Sequence, residues 1–245
     1  MIFSFFKKKK KHTEGVVREL CTDIHSHLIP GIDDGSKDIG ESIILLRAMS
    51  ELGYKKVITT PHIMSDGYKN TSQNILEGLK ALRSAAKGEN IDLEINAAAE
   101  YYLDDGFYNQ LKDQEILSVG DYLLIETSYI SKPLQFDEMI FDIQASGFKP
   151  MLAHPERYRY IKDLKREYKA MKDKGIYFQV NLNSFSGHYG KEAKRKADFL
   201  SKAGMIDFLG SDVHHMKQVE TLSEVLNSEI LSTIYSNNTI LNDSL

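Results

Sequence analysis

Two histidines separated by one residue, with two adjacent aspartates shortly after them, form the part of the sequence best suited to chemistry. They lie in CTDIHSHLIPGIDDG, residues 21–35, as His25, His27, Asp33 and Asp34. Side chains at positions i and i+2 of a β-strand lie on the same face, so the two imidazoles would face one way. Imidazoles and carboxylates together are donors that bind divalent metal ions. This stretch therefore predicts a metal site at the end of the first strand.

Other imidazoles and carboxylates stand at the ends of later apolar runs. With the first run included, six of the seven predicted strands end in such a side chain. Because the C-terminal strand ends of a β/α barrel converge on one mouth, these side chains are predicted to meet there. The predicted set, to which Asp34 is added from the first loop, is His25, His27, Asp34, His62, Glu100, Glu126, His154, Asp212 and His214.

The elements that would position this set are strands alternating with helices. The strand candidates are CTDIHSH, KVITTPH, DLEINAAAE, YLLIET, KPMLAHPE, YFQVNLNS and DFLGSDVH. Four segments with the apolar spacing of amphipathic helices end at Gly53, Gly147, Gly175 and Gly204, where glycine supplies a left-handed cap. This alternation predicts an α/β fold with a parallel sheet. Seven strands in a chain of 245 residues favour a closed or nearly closed barrel over an open doubly wound sheet.

Any one of the nine side chains is compatible with a purely structural role. Together they are not, because burying four carboxylates and five imidazoles without cations would carry a large desolvation penalty. Mixed nitrogen and oxygen donors without thiolate suit Zn²⁺, Mn²⁺ or Fe. Nine ligands would serve two or three ions, and such centres stabilise the attacking and leaving oxygens in phosphoryl or acyl hydrolysis.

The motifs DIHSHLIPGIDDG, TTPH, AHPERY and GSDVHH occur in this order. In that order and spacing they resemble the polymerase-and-histidinol-phosphatase (PHP) superfamily. They are more specifically similar to the bacterial protein-tyrosine phosphatases encoded with capsule and exopolysaccharide genes. The resemblance covers roughly residues 20–230. It implies a distorted (β/α)7 barrel of TIM-like PHP type, a trinuclear metal centre with Mn²⁺ as the first expectation, and a membrane tyrosine autokinase as the phosphotyrosine substrate.

The resemblance also implies how the ligands are shared among the ions. One group is His25, His27 and Asp212, another is Asp34, His62 and His214, and Glu100 bridges with Glu126 and His154 beside it. Arg157, three residues after His154, matches the arginine that holds the substrate phosphate. A guanidinium can bind two phosphoryl oxygens at once.

The sequence departs from the family pattern at one position. The family commonly has a second arginine five residues after the last ligand histidine, and that position here is Val219. Lys217 is the nearest cation, and we expect it to substitute as a point charge without bidentate geometry.

Four further polar residues near the motifs are not assigned as ligands. His215 and Asp33 would face away from the site in an extended chain. Asn181 and Asn183, on the sixth predicted strand, either line the mouth or make hydrogen bonds within their own loop.

Composition limits the partners and the compartment. The formal net charge is −4, and without Lys7–Lys11 it falls to −9, so the acidic body argues against a nucleic-acid partner. A single cysteine excludes an internal disulfide and favours a reducing, cytoplasmic location. The absence of an internal linker predicts one catalytic domain, residues 16–245, behind a basic tail of residues 1–15. That tail, MIFSFFKKKKKH and the residues after it, is either disordered or weakly attracted to anionic lipid at the inner membrane face.

The predicted reaction is hydrolysis of a phosphomonoester by a metal-bound hydroxide, because metals lower the pKa of bound water from 15.7 to about 7. A cysteine nucleophile is disfavoured, since Cys21 has neither the glycine-rich turn nor the arginine that a phosphate-cradling loop needs. Three classes remain open. They are a protein-tyrosine phosphatase, a small-molecule metal hydrolase acting on histidinol phosphate or an amide, and a non-enzymatic module that binds partners.

Overall fold

The strands and helices alternate along the chain in a computed structural model that describes residues 20–113 and 116–245. The strands are β1 (Thr22–Asp23), β2 (Lys56–Thr59), β3 (His62–Ile63), β4 (Glu94–Ala97), β5 (Glu100–Tyr102), β6 (Tyr122–Glu126), β7 (Lys149–Ala153), β8 (Tyr177–Asn181) and β9 (Phe208–Gly210). The α-helices are α1 (Ile39–Glu51), α2 (Ser72–Gly88), α3 (Phe107–Asp113), α4 (Phe136–Ala145), α5 (Leu164–Asp173), α6 (Leu182–Ser186), α7 (Lys191–Lys202), α8 (Met216–Leu226) and α9 (Glu229–Asn237). The predicted basic tail, with Lys7–Lys11, lies outside the described residues.

The helices predicted before the four glycines are confirmed as α1, α4, α5 and α7. The N-terminus of α1 is capped by Asp38, whose carboxylate accepts a hydrogen bond from the Glu41 amide at 2.9 Å. The glycine after each helix has a positive φ, between 66° at Gly204 and 105° at Gly53. Glycine adopts this left-handed conformation without a Cβ clash, so it reverses the chain toward the next strand.

The parallel strands form one wall although they divide into two sheets. β1, β2 and β4 form the first sheet, and β3, β5, β6, β7, β8 and β9 form the second in that order. β2 and β3 belong to one predicted strand and β4 and β5 to another, so nine short strands follow seven paths in the part of the chain that the structure describes. Backbone hydrogen bonds continue across the breaks, with Ala98 donating to Thr59 at 2.9 Å and Glu100 to Pro61 at 3.1 Å.

The seventh path returns to the first and completes the barrel. Ser26 and Val213 form a parallel bridge just beyond β1 and β9. The Asp212 amide donates to the His25 carbonyl at 2.8 Å, and the His27 amide donates to the Val213 carbonyl at 2.9 Å. The predicted seven-stranded barrel is therefore confirmed.

The distortion of the barrel lies at this same seam, where side chains replace backbone pairing. The buried Asn242 amide donates to the carbonyls of Thr22 at 2.9 Å and Leu209 at 2.7 Å, and its oxygen accepts from the Leu209 amide at 2.9 Å. The Asp23 carboxylate accepts from the amide and the hydroxyl of Ser211, both at 2.8 Å. These contacts satisfy strand groups that a regular ladder would pair.

Apolar residues fill the barrel and cover its outside. A small interior cluster includes Ile24, Ile58, Leu124, Met151 and Phe208. A larger cluster packs the helices onto the strands, which buries both faces of the sheet as parallel sheets require. Within the described ranges, no helix is both long and apolar enough to cross a membrane.

Candidate metal centre

His25 and His27 lie just beyond β1, where the chain is extended and pairs with the residues after β9. Both side chains are fully buried, and their Nε2 atoms are 3.3 Å apart. The i, i+2 spacing thus brings the two imidazoles to one face. Because the two Nε2 atoms are this close, their lone pairs converge near one point.

Three more predicted ligands come from neighbouring strands. The register pairs His62 of β3 with Glu100 of β5, and Tyr102 of β5 with Glu126 of β6. Nδ1 of His62 is 3.2 Å from Oε2 of Glu100 and 3.1 Å from Oε1 of Glu126. Glu100 lies at the centre, since its Oε2 is also 3.1 Å from Nε2 of His25.

His154 and Asp212 reach the mouth through unusual backbone conformations. They follow β7 and β9 with φ values of +34° and +52°, in the left-handed region that L-residues rarely adopt. His154 Nε2 is 3.1 Å from Glu100 Oε1, and Asp212 Oδ1 is 3.5 Å from His25 Nε2. Strained residues of this kind cluster at functional sites, where the surrounding structure holds them.

Asp34 and His214 form the outer edge of the cluster. Asp34 is the most exposed member, with 52% of its side chain accessible. Its Oδ1 is 3.5 Å from Nε2 of His62 and 3.5 Å from Nε2 of His214. These three side chains open toward solvent, whereas His25, His27 and Glu100 lie at the floor.

Each of the nine predicted side chains belongs to at least one group able to surround an ion. In each group the candidate ligand atoms lie within 4.8 Å of one another. The groups are His27, Asp34, His62 and His214; His25, Glu100 and His154; His25, His27 and Asp212; and His62, Glu100 and Glu126. His25, His27, His62 and Glu100 each belong to two of these groups.

Two buried ligand atoms test whether cations fit this space. Nδ1 of His62 and Oε1 of Glu100 have no hydrogen-bond partner among the described residues, although acceptor or donor atoms lie 3.1 Å away. Buried polar groups are almost always hydrogen-bonded, so these two close contacts without hydrogen-bond geometry need another explanation. They indicate lone pairs directed at shared points, which is the geometry that divalent cations require.

The charges of the cluster shift the protonation of its own members. Burial alone would lower the pKa of His25, but the carboxylates of Glu100 and Asp212 outweigh it and raise that pKa to about 9. Burial would raise the pKa of Asp212, but the positive charges of His25, His214 and Arg157 hold it well below its usual range. Protons therefore neutralise the cluster when cations do not, and metal binding must displace them.

A second layer of residues orients the two floor histidines. Nδ1–H of His25 donates to Oε1 of Gln179 at 2.6 Å, and Nδ1–H of His27 donates to Oδ2 of Asp33 at 2.8 Å. Each bond directs Nε2 toward the cluster, as second-layer partners of metal-binding histidines do. Sequence reasoning missed Gln179, and it left Asp33 without a role because it faces away from Asp34.

The two asparagines on and after β8 differ in what they contact. Nδ2 of Asn181 donates to Oδ2 of Asp212 at 2.7 Å, so Asn181 lines the mouth. Nδ2 of Asn183 donates to the Gln218 carbonyl at 3.0 Å, outside the cluster. Asn181 therefore lines the mouth, whereas the Asn183 side chain bonds to α8 and neither lines the mouth nor bonds within its own loop.

The two predicted phosphate contacts differ in their surroundings. Arg157 ends a 3-10 turn, Pro155–Arg157, and its Nη1 is 2.9 Å from Oδ2 of Asp212, with 23% of the side chain exposed. Lys217 is exposed in the first turn of α8, and Val219 is buried in the core. His215 caps α8 and belongs to none of the ligand groups among the described residues.

The structure is a β/α barrel with imidazoles and carboxylates gathered at its C-terminal mouth. This fold and this set of side chains are those of a class of proteins that bind divalent ions. Residues 21–228 match the family described as capsular polysaccharide synthesis, CpsB/CapC, and the chain belongs to that family. The resemblance seen in the sequence motifs is thereby confirmed.

Similar proteins cover most of the chain. Tyrosine-protein phosphatase YwqE of Bacillus subtilis is 32% identical over 197 residues, which are 80% of this chain and 78% of that protein. A solved structure from work on YwqE of Bacillus subtilis and CpsB of Streptococcus pneumoniae, described as unique metal-dependent tyrosine phosphatases, has a TM-score of 0.77 at 29% identity. The similarity covers 89% of this chain and 96% of that one.

A more distant structure shares the fold alone. Histidinol phosphate phosphatase of Lactococcus lactis has a TM-score of 0.50 at 13% identity, covering 84% of this chain and 92% of that chain. This likeness agrees with the PHP-type barrel predicted from the motifs.

Proposed function

We propose that this chain is a metal-dependent phosphatase that hydrolyses phosphotyrosine in a protein. The observation that carries the proposal is the cluster of five imidazoles and four carboxylates with the Arg157 guanidinium beside it. Similarity to tyrosine-protein phosphatases over most of the chain supports the substrate class.

The nine clustered side chains are the proposed ligands of two or three divalent ions, with Mn²⁺ expected first and Fe or Zn²⁺ as alternatives. The floor and the outer edge would hold separate ions, with Glu100 between them. When bound, such ions act as Lewis acids on a phosphoryl group and lower the pKa of a water molecule from 15.7 to about 7.

The protein contributes orientation and charge to the reaction. The Gln179 and Asp33 acceptors fix the Nδ1–H tautomers of His25 and His27, which keeps both Nε2 lone pairs on the site. Arg157 binds the transferring phosphoryl group through the N–H groups that do not contact Asp212 and neutralises its growing negative charge. Lys217 is proposed as a second, weaker contact, since a lysine offers a point charge without a fork of donors.

The partner and the location follow from the family and the charge pattern. A protein of a capsular polysaccharide system that carries phosphotyrosine is the proposed substrate, and a membrane tyrosine autokinase fits that description. The catalytic domain, residues 16–245, would work in the cytoplasm. The lysine run Lys7–Lys11 would hold the protein weakly at the anionic inner membrane face, where the protein would encounter such a kinase.

Matched phosphopeptides test the substrate class directly. The protein loaded with Mn²⁺ is expected to release phosphate from a phosphotyrosine peptide and to be much slower on the same peptide with phosphoserine and on histidinol phosphate. Cys21→Ser serves as the control for thiol chemistry and should keep full activity. Equal or faster turnover of histidinol phosphate would assign the site to small-molecule hydrolysis. Loss of activity in Cys21→Ser would contradict the metal-dependent route.

A further inference from the structure

Arg157 lies over two tyrosine rings at the mouth of the barrel. Its guanidinium carbon is 4.5 Å from the centroid of the Tyr129 ring and 4.3 Å from that of the Tyr189 ring. Both distances are well within the range in which an aromatic face attracts a cation. Tyr129 follows β6 and Tyr189 precedes α7, so two separate segments contribute to the arrangement.

The guanidinium is also fixed at one of its edges. Nη1 of Arg157 donates to Oδ2 of Asp212 at 2.9 Å, and the same oxygen accepts from the Tyr189 hydroxyl at 3.1 Å and from Asn181 Nδ2 at 2.7 Å. The other oxygen of Asp212, Oδ1, faces the imidazole of His25. Asp212 thus divides its two oxygens between the histidine cluster and the arginine.

The two tyrosines are themselves held in place independently of Arg157. The Tyr129 carbonyl accepts from the Arg159 amide at 2.7 Å, and the Tyr129 ring centroid is 5.6 Å from that of His154. Tyr189 lies between two glycines with φ of +89° and +92°, and its hydroxyl accepts from Gln218 Nε2 at 3.3 Å. Neither ring therefore depends on the arginine for its position.

We propose that Tyr129 and Tyr189 are positioning residues that hold the Arg157 guanidinium edge-on to the phosphoryl group. The inference rests on the proposed function and specifies how that site binds its oxyanion. The guanidinium carbon lies over both aromatic rings and one edge is bound to Asp212, so the donors left for a ligand are those on the rest of the guanidinium plane. Donors in this plane match two oxygens of a phosphate simultaneously.

This arrangement has an energetic consequence for binding. A freely rotating arginine loses side-chain freedom when it binds a ligand. An arginine already held in one orientation avoids most of that loss. The fixed arginine thereby compensates in part for the missing second arginine at Val219.

Phosphate titration of the Mn²⁺-loaded protein tests the role of the rings without relying on turnover. Tyr129→Leu removes the aromatic face and is expected to weaken binding of inorganic phosphate about tenfold. Tyr129→Phe keeps the face and should stay within about twofold of the wild type, since only the hydroxyl is lost. With the phosphopeptide, the same loss should appear in KM more than in kcat, and the metal content should not change.

A double-variant comparison separates positioning from general damage to the fold. If Tyr129 acts through Arg157, Tyr129→Leu should add nothing once Arg157→Ala has removed the guanidinium. Should Tyr129→Leu fail to fold, Tyr189→Leu provides a second variant, compared with Tyr189→Phe, which keeps the ring and loses only the hydroxyl contacts with Asp212 and Gln218. Unchanged phosphate affinity in both leucine variants would overturn the inference, as would full additivity with Arg157→Ala. Phosphate binding that follows the expected pattern without any phosphopeptide hydrolysis would support the inference and contradict the proposed function instead.

Discussion

Asp33 accepts a hydrogen bond from Nδ1 of His27 at 2.8 Å, while its neighbour Asp34 approaches the two outer histidines instead. The two adjacent carboxylates therefore act in different layers of one site. Asp33 is hydrogen-bonded to a histidine on the floor of the site, and Asp34 lies on the solvent-exposed side of the site. Residues 32–35 form bends and not a strand, so the local turn directs the two carboxylates to different histidines.

Replacing Asp33 by asparagine should weaken metal binding without removing a ligand. The variant loses the negative charge that supports His27, and we expect metal affinity to fall about 10- to 100-fold. Competition with a fluorescent chelator measures this change. Asp66→Asn, a change at an exposed position nearby, is the matched control and should bind metal like the wild type. Wild-type affinity in Asp33→Asn would contradict the assigned role.

Glu100 is the most highly connected carboxylate of the cluster, because its two oxygens contact four different histidines. Glu100→Gln removes the central charge and should lower phosphopeptide turnover by more than about a hundredfold, with less bound metal. Glu77→Gln, on the exposed side of α2, is the control. Elemental analysis and initial rates give the two readouts. Retention of both metal and activity would exclude Glu100 as a shared ligand.

Arg157→Lys should be almost as damaging as Arg157→Ala. A lysine keeps the charge but loses the planar group that lies over the rings of Tyr129 and Tyr189. We expect kcat/KM for the phosphopeptide to fall about 10²- to 10³-fold in both variants, a typical loss for one transition-state donor. Steady-state kinetics measure it. Near-normal kcat/KM in Arg157→Lys would show that only a point charge is needed.

Stability should depend on pH in opposite ways with and without metal. In the metal-free protein the pKa of His25 is about 9, above its unfolded value of 6.5, because Glu100 and Asp212 outweigh burial. The stabilisation from its proton is complete below pH 6.5 and is lost as pH rises through 9. Metal requires the deprotonated imidazole, so bound metal should stabilise the fold more as pH rises.

Thermal unfolding across that pH window measures both effects. After chelation and removal of the chelator, Tm should fall between pH 6.5 and 9. With Mn²⁺ present, the difference in Tm from the metal-free protein should widen over the same interval. A metal-free Tm that rises through this window would contradict the protonation assigned to the cluster.

Much of this architecture could be predicted because it depends on local patterns. Alternating apolar segments identified the strand paths, and glycines after amphipathic runs identified four helix ends. Eight of the nine clustered side chains followed from their position at strand ends, since a parallel barrel brings those ends together, and Asp34 was added from the first loop. The breaks after Thr59 and Ala97 were not foreseen, because nothing in KVITTPH or DLEINAAAE marks where regular pairing stops.

What escaped prediction depends on contacts between residues far apart in the chain. Gln179 approaches His25 from 154 residues away, and a single glutamine in a strand carries no recognisable signal. Tyr129 and Tyr189 lie in loops, where aromatic residues follow no periodicity. The left-handed conformations of His154 and Asp212 were equally hidden, since such strain is set by the surrounding fold.

Asn242 offers a test of the barrel seam that is separate from the chemistry. Asn242→Ala would leave buried groups of Thr22 and Leu209 unpaired, at about 1–3 kcal/mol for each. A loss of 2–4 °C in Tm for each kcal/mol is typical of a chain of about this size, so a fall of roughly 5 °C or more is expected. Asn237→Ala, at an exposed position, is the control. An unchanged Tm would show that the seam does not need this side chain.

Titration of metal-stripped protein with Mn²⁺, while phosphotyrosine-peptide hydrolysis is followed, tests the central claim most directly. Hydrolysis should be absent without metal, rise with each addition and level off once two or three equivalents are bound, with an elemental count giving the same number. Hydrolysis by the stripped protein would contradict the account, and so would tight binding of Mn²⁺ that never restores hydrolysis.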